Sequence, residues 1–126
     1  MASTAVITNK GLGIIASRIK GTGSEPVYLA WGSGSGTAAA TDEALFTEES
    51  ESRTTMVSEI ISVSTANDAY KLTGAIVAGG SKTITNWGVF DAPTGGNLLL
   101  HESIDPGVPF ETGQLGSFYF RVQITR

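Results

Sequence analysis

Cysteine is absent from the chain. That excludes disulfides and thiolate metal sites, and it removes one sign of an oxidising compartment. Histidine occurs once, at His101, so no multi-histidine metal centre can form. Charge is sparse: 16% of residues are charged and the net charge is −4. The cations Lys10, Arg18, Lys20, Arg53, Lys71, Lys82, Arg121 and Arg126 are scattered. A surface that binds duplex nucleic acid needs clustered Lys and Arg to neutralise phosphates, so no nucleic-acid partner is expected. No apolar run approaches the roughly 20 residues that span a bilayer, and no membrane partner is expected. The opening MASTAVITNKGLGII lacks a basic region followed by an unbroken apolar stretch and does not read as a signal peptide.

Glycine, in contrast, is abundant, at sixteen of 126 residues. Together with many Thr and Ser, it points to strands and turns rather than a helical bundle. The length fits a single domain, 1–126, that buries roughly two-thirds of its unfolded surface. Residues 1–7 read as an extended N-terminal arm, 8–20 as a helix and 27–126 as a β-sandwich. For the helix, Thr8 or Asn9 can cap the first free N–H groups. Leu12, Ile15, Ala16 and Ile19 recur at helical spacing and are expected on one buried face. Gly21 suits the left-handed residue after the last turn, and Arg18 and Lys20 complement the C-terminal dipole. Gly11 and Gly13 each weaken such a helix by about 1 kcal/mol relative to Ala.

Strand signals dominate the remainder. Val27–Trp31 is a short apolar run that stops at Gly32, Gly34 and Gly36. A short second helix is expected after Thr37. Arg53–Thr65 reads as one long β-branched strand, with a turn at Ala66–Asp68. Ala69–Ala78 and Lys82–Phe90 follow, separated by Gly79-Gly80-Ser81. Asp91–Gly96 is a turn, Asn97–Glu102 a short strand, and Ser103–Gly116 a Pro/Gly loop. In the last strand Phe118, Phe120, Val122 and Ile124 face one way, and Tyr119, Arg121, Gln123 and Thr125 the other. The expected fold is mainly β: an antiparallel β-sandwich, jelly-roll-like, with one N-terminal α-helix and a short second helix.

Four features invite a chemical reading. Gly34-x-Gly36-x-x-Ala39 fits a loose dinucleotide fingerprint, but no βαβ unit follows, and Asp42 and Glu43 would repel a pyrophosphate. His101 lies near Ser103 and Asp105, yet nothing resembles a nucleophile elbow. Glu48, Glu49 and Glu51 lack the alternating oxygen-ligand loop of a calcium site and read as a solvated linker. Trp31 and Trp87 could stack on sugar rings, as in a carbohydrate-binding module, but their apolar contexts favour core packing. No catalytic, cofactor or metal residue is assigned. The loop residues Ile104, Val108 and Phe110 either fold over the open end of the sandwich or dock on another chain.

The blocks ITNKGLGIIASRIKG, PVYLAWGSGSGTAAATDEALFTE and ITNWGVFDAPTGGNLLLHE, in that order and spacing, resemble small tailed-bacteriophage virion structural proteins. Two branches are similar: head decoration (cement) proteins, and the N-terminal region of tail-collar and tail-fibre proteins. The resemblance implies a non-enzymatic virion part, made in the bacterial host cytoplasm, without cofactor or metal. It implies a homo-dimer or homo-trimer that binds the major capsid protein, or alternatively a tail or baseplate protein. The chain stops at Arg126, directly after its last strand, which favours a compact decoration protein on the head surface. The candidate partner contacts are Val6 and Ile7 in the arm, and Ile104, Val108 and Phe110 in the loop.

Overall fold

The computed structural model describes residues 2–126. In chain order its elements are β1 (Ala2–Ile7), α1 (Asn9–Lys20), β2 (Tyr28–Gly32), β3 (Thr54–Thr55), β4 (Val57–Ile61), β5 (Ala69–Val77), β6 (Lys82–Phe90), β7 (Leu98–Phe110) and β8 (Leu115–Gln123). They form two antiparallel sheets, one ordered β1-β7-β6-β2-β3 and the other β4-β5-β8. The protein is a mainly β sandwich with a single helix among the described residues. Its core lies between the sheets, built on Leu29, Trp31, Leu72, Ile84, Trp87, Val89 and Leu100.

Asn86–Phe90 of β6 and Leu98–His101 of β7 are buried without alternation, because the larger sheet is covered on both faces there. On the face away from the main core, Ala30, Phe90 and Leu98 pack with Leu45 from the long segment after β2. That segment holds no helix, contrary to the sequence expectation. Asp42 is the reason. Its carboxylate accepts the Ala39 N–H at 2.8 Å, and its own N–H donates to the Ala39 carbonyl at 3.0 Å. A side chain that captures local backbone groups this way favours a turn over a helix. The chain then returns alongside the glycine run. Ser33 and Gly34 donate to the Thr47 and Phe46 carbonyls at 3.0 and 2.8 Å. A Cβ at Gly34 would stand 2.7 Å from the Phe46 carbonyl carbon, so the glycines permit close backbone approach.

Thr8 caps α1, accepting the Gly11 N–H at 2.9 Å, and Gly21 closes it at φ 86°. The buried face differs from the expected one. Gly11 and Ile14 are buried and Ile15 half-buried, whereas Leu12 and Ile19 are 61% and 82% exposed. The helix lies so close to β7 that only glycine fits at the contact: a Cβ at Gly11 would meet the Leu99 carbonyl oxygen at 2.2 Å.

Three further expectations need correction. Of the arm 1–7, residue 1 lies outside the described residues, and Ala2–Ile7 is extended as expected but pairs with β7 as an edge strand, Val6 opposite His101 and Ile7 opposite Leu100. The long strand 53–65 is broken at Met56, which is buried and donates its N–H to the Val27 carbonyl at 2.7 Å. At that point the chain leaves the larger sheet and enters the smaller one. β4 then stops at Ile61, since the Asp68 carboxylate gathers the N–H groups of Val63, Ser64 and Thr65. Finally, 103–110 is strand, not loop. Pairing of β6 with β7 jumps from Asn86↔Ser103 to Ile84↔Val108. The bulge between those pairs contains Pro106, which cannot donate to a ladder.

Candidate functional site

A groove of about 340 Å³ runs between the free edge of β8 and the neighbouring face of the larger sheet. Ile104, Val108 and Phe110 from β7 line it, with Ile84 and Trp87 from β6 and Phe118 from β8. Period-two alternation along β7 puts Glu102 and Ile104 on one face before the bulge, and Val108 and Phe110 on one face after it. Aromatic packing fixes the walls. Trp87 and Phe118 have ring centroids 4.9 Å apart, Trp31 and Phe110 5.0 Å. Glu102 is held inside the groove by the Trp87 indole, whose Nε1–H donates to Oε1 at 2.5 Å. The groove offers apolar, shape-specific contact, and its carboxylate already has a partner.

Trp31 and Trp87 are 1% and 3% exposed. The sugar-platform reading fails on that burial, since stacking needs an open ring face. Trp31 instead donates Nε1–H to Glu51 at 2.9 Å.

His101 sits on the opposite face of β7 and is fully buried. Its Nδ1 lies 2.7 Å from Asp42 Oδ2, and its Nε2 lies 2.9 Å from Asn86 Oδ1. Phe46 packs on the imidazole with centroids 4.7 Å apart. Asn86 reads both backbone groups of Phe46, accepting its N–H and donating to its carbonyl at 3.0 Å each. Ser103 is turned elsewhere and accepts the Ala38 N–H at 2.9 Å. Both ring nitrogens of His101 are therefore engaged, and neither addresses the Ser103 hydroxyl. The cluster ties the segment after the glycine run to β6 and β7. It is architecture, not a nucleophile and base.

The acidic run is not a solvated linker. Glu48 pairs with Arg53 at 3.0 Å, and Arg53 lies 3.6 Å over the Phe90 ring. Glu49 and Glu51 both reach Lys82, and Glu51 also accepts the Gly79 N–H at 2.9 Å. Burial alone would raise the Glu51 pKa. Bonds from Lys82, Trp31 and Gly79 outweigh it and hold the carboxyl down at about 2. The same contact raises Lys82. No sequence signal announces the Lys82 pairs, because Glu49 and Glu51 stand 33 and 31 positions from it. The three carboxylates are thus engaged with Arg53 and Lys82, and the last two tie this segment to β6.

Of the five expected contact residues, Ile104, Val108 and Phe110 meet in the groove. Val6 and Ile7 do not. Both are half-buried in β1, and Ile7 packs against the main core. The groove's other walls, Trp87 and Phe118, come from strands whose alternation was readable but whose juxtaposition was not.

No curated protein and no solved structure matches the chain. The family model for the podophage GP4 fiber I protein gp80 matches residues 2–123. That span takes in the helix, the glycine run and every strand, and the chain therefore belongs to this family of phage virion structural proteins.

Proposed function

We propose that the protein is a structural part of the phage fibre and holds its place on the virion by docking to a tail or baseplate protein. One observation carries the reading: the fibre-family match over nearly the whole chain. It favours the tail side over the head-surface decoration and the major capsid partner expected from sequence. The site is consistent with a binding part. Its groove is apolar, walled by packed aromatics, and shows no activated nucleophile. Ile104, Val108 and Phe110 supply the contact, with the side chains already held in place, so little ordering entropy is lost on docking.

The test is quantitative mass spectrometry of virions separated into heads and tails. The expected result is a small copy number, confined to the tail and fibre fraction. Hundreds of copies on purified heads would overturn the fibre reading and restore head decoration.

A further inference from the structure

The smaller sheet has two free edges, β4 on one side and β8 on the other. Exposed edges are templates for pairing, and proteins that stay monomeric block them with lysines, prolines or bulges. Neither edge here is blocked in that way. β4 (VSEII) exposes Val57 and Ile60 at 61% and 71%, and β8 exposes Tyr119 at 54%.

The rows across the sheet match end to end. Glu59 stands opposite Lys71, and Lys71 opposite Arg121. Glu59 and Lys71 form an ion pair at 3.1 Å. Lys71 and Arg121 are like charges placed directly across from each other, which is unfavourable. A carboxylate on the far side of Arg121 would offset that repulsion. The same sheet carries one on its other edge, in the same row. We infer that the β8 edge of one copy pairs with the β4 edge of a second copy, head to tail, so that Glu59 of the second meets Arg121 of the first.

The charge pair sets the register, and the rest follows from it. β4 and β8 each run antiparallel to β5, so they are parallel to each other, and a continued sheet places β4 of the next copy parallel to β8. With 59 against 121, Val57 meets Tyr119 on the outer face, and Ile60 meets Val122 on the inner face. The exposed Val57, Ile60 and Tyr119 and the half-buried Val122 are thereby covered on both faces in one register. A slip of one residue would turn each pair to opposite faces, and a slip of two would separate the charges. Because the two edges differ, the contact is heterologous and closes into a ring when its rotation allows. The contact uses 119–123, shares only Tyr119 with the groove, and leaves Ile104, Val108 and Phe110 outside the paired segment. It does not rest on the fibre reading and would hold for a head protein equally.

Two substitutions on the full chain test it, with oligomeric state followed by light scattering across a dilution series. Wild type is expected to be oligomeric. Arg121→Glu sets two carboxylates against each other across the contact and should weaken assembly on the order of tenfold. Within one copy it replaces the clash with Lys71 by an attraction, so thermal stability of the dissociated monomer should hold or rise. That opposite movement separates lost assembly from misfolding. Glu59→Arg should weaken assembly likewise, and the double variant Glu59→Arg/Arg121→Glu should restore it. Amide exchange at 57–61 and 119–123 should slow on assembly. A monomeric wild type, an oligomer indifferent to both single variants, or a double variant no better than the singles would each overturn the inference.

Discussion

Gly11 and Gly13 sit two residues apart in the same helix, yet replacing each by alanine should move stability in opposite directions. At Gly13 a Cβ meets nothing within 4 Å. Only the intrinsic preference acts, and Gly13→Ala should gain about 0.5–1 kcal/mol. At Gly11 the Cβ would stand 2.2 Å from the Leu99 carbonyl oxygen and 3.1 Å from Ile7 Cγ2. The Leu99 carbonyl is backbone of β7 and cannot rotate away, whereas the Ile7 methyl need give only a few tenths of an ångström. The helix must lift by about 1 Å, which costs about 1–3 kcal/mol as overpacking. Lifting also stretches the Thr8 N–H bond to the Leu99 carbonyl, now 3.1 Å, for about another 1 kcal/mol. Against the gain in helix preference, the net loss is about 2 kcal/mol. For 126 residues each kcal/mol corresponds to about 4 °C in melting temperature. Thermal unfolding followed by circular dichroism, at one fixed protein concentration, should therefore place Gly11→Ala about 8 °C below wild type and Gly13→Ala about 2–4 °C above it. If Gly11→Ala melts at or above wild type, the close helix–strand contact is wrong.

Glu51 makes stability pH-dependent. Its folded pKa of about 2 lies below the ordinary 4.5, so its contribution is whole above pH 4.5 and is lost as pH falls toward 2. Discounted for solvent screening, it amounts to about 1 kcal/mol. Melting temperatures taken from about pH 6 to about pH 3 should fall about 2 °C further in wild type than in Glu51→Gln, since about 60% of that contribution is lost by pH 3; parallel curves would refute the assignment. Asn86→Ala removes the partner of His101 Nε2 and of both Phe46 backbone groups. It should cost about 3–4 kcal/mol in urea unfolding, and a loss below about 1 kcal/mol would show that the cluster is dispensable.

Much of the fold is legible because local chemistry and tertiary demand agree. Thr8 and Gly21 mark the ends of the helix as capping residues should, and Lys82–Phe90 begins and ends where its turns say. Legibility fails where a distant partner decides. The helical spacing of Leu12, Ile15 and Ile19 pointed to one face, but the neighbouring strand comes so close that a glycine face won. The acidic start after Thr37 resembled a helix N-terminus until Asp42 found His101, 59 residues away. Met56 gave no sign that a β-branched run changes sheets there. The prolines at 106 and 109 suggested a loop, yet one falls in a bulge and the other stands opposite Thr83 within the ladder. The candidate site was half readable. Ile104, Val108 and Phe110 stood out as apolar residues in an apparent loop, whereas Trp87 and Phe118 joined them only through sheet packing.

A high-resolution map of the intact particle decides where on the virion the protein sits. Density for the two-sheet sandwich is expected within the tail-fibre assembly, with Ile104, Val108 and Phe110 against a neighbouring tail or baseplate chain. The same density arrayed over the head shell, in contact with the major capsid protein, would contradict it.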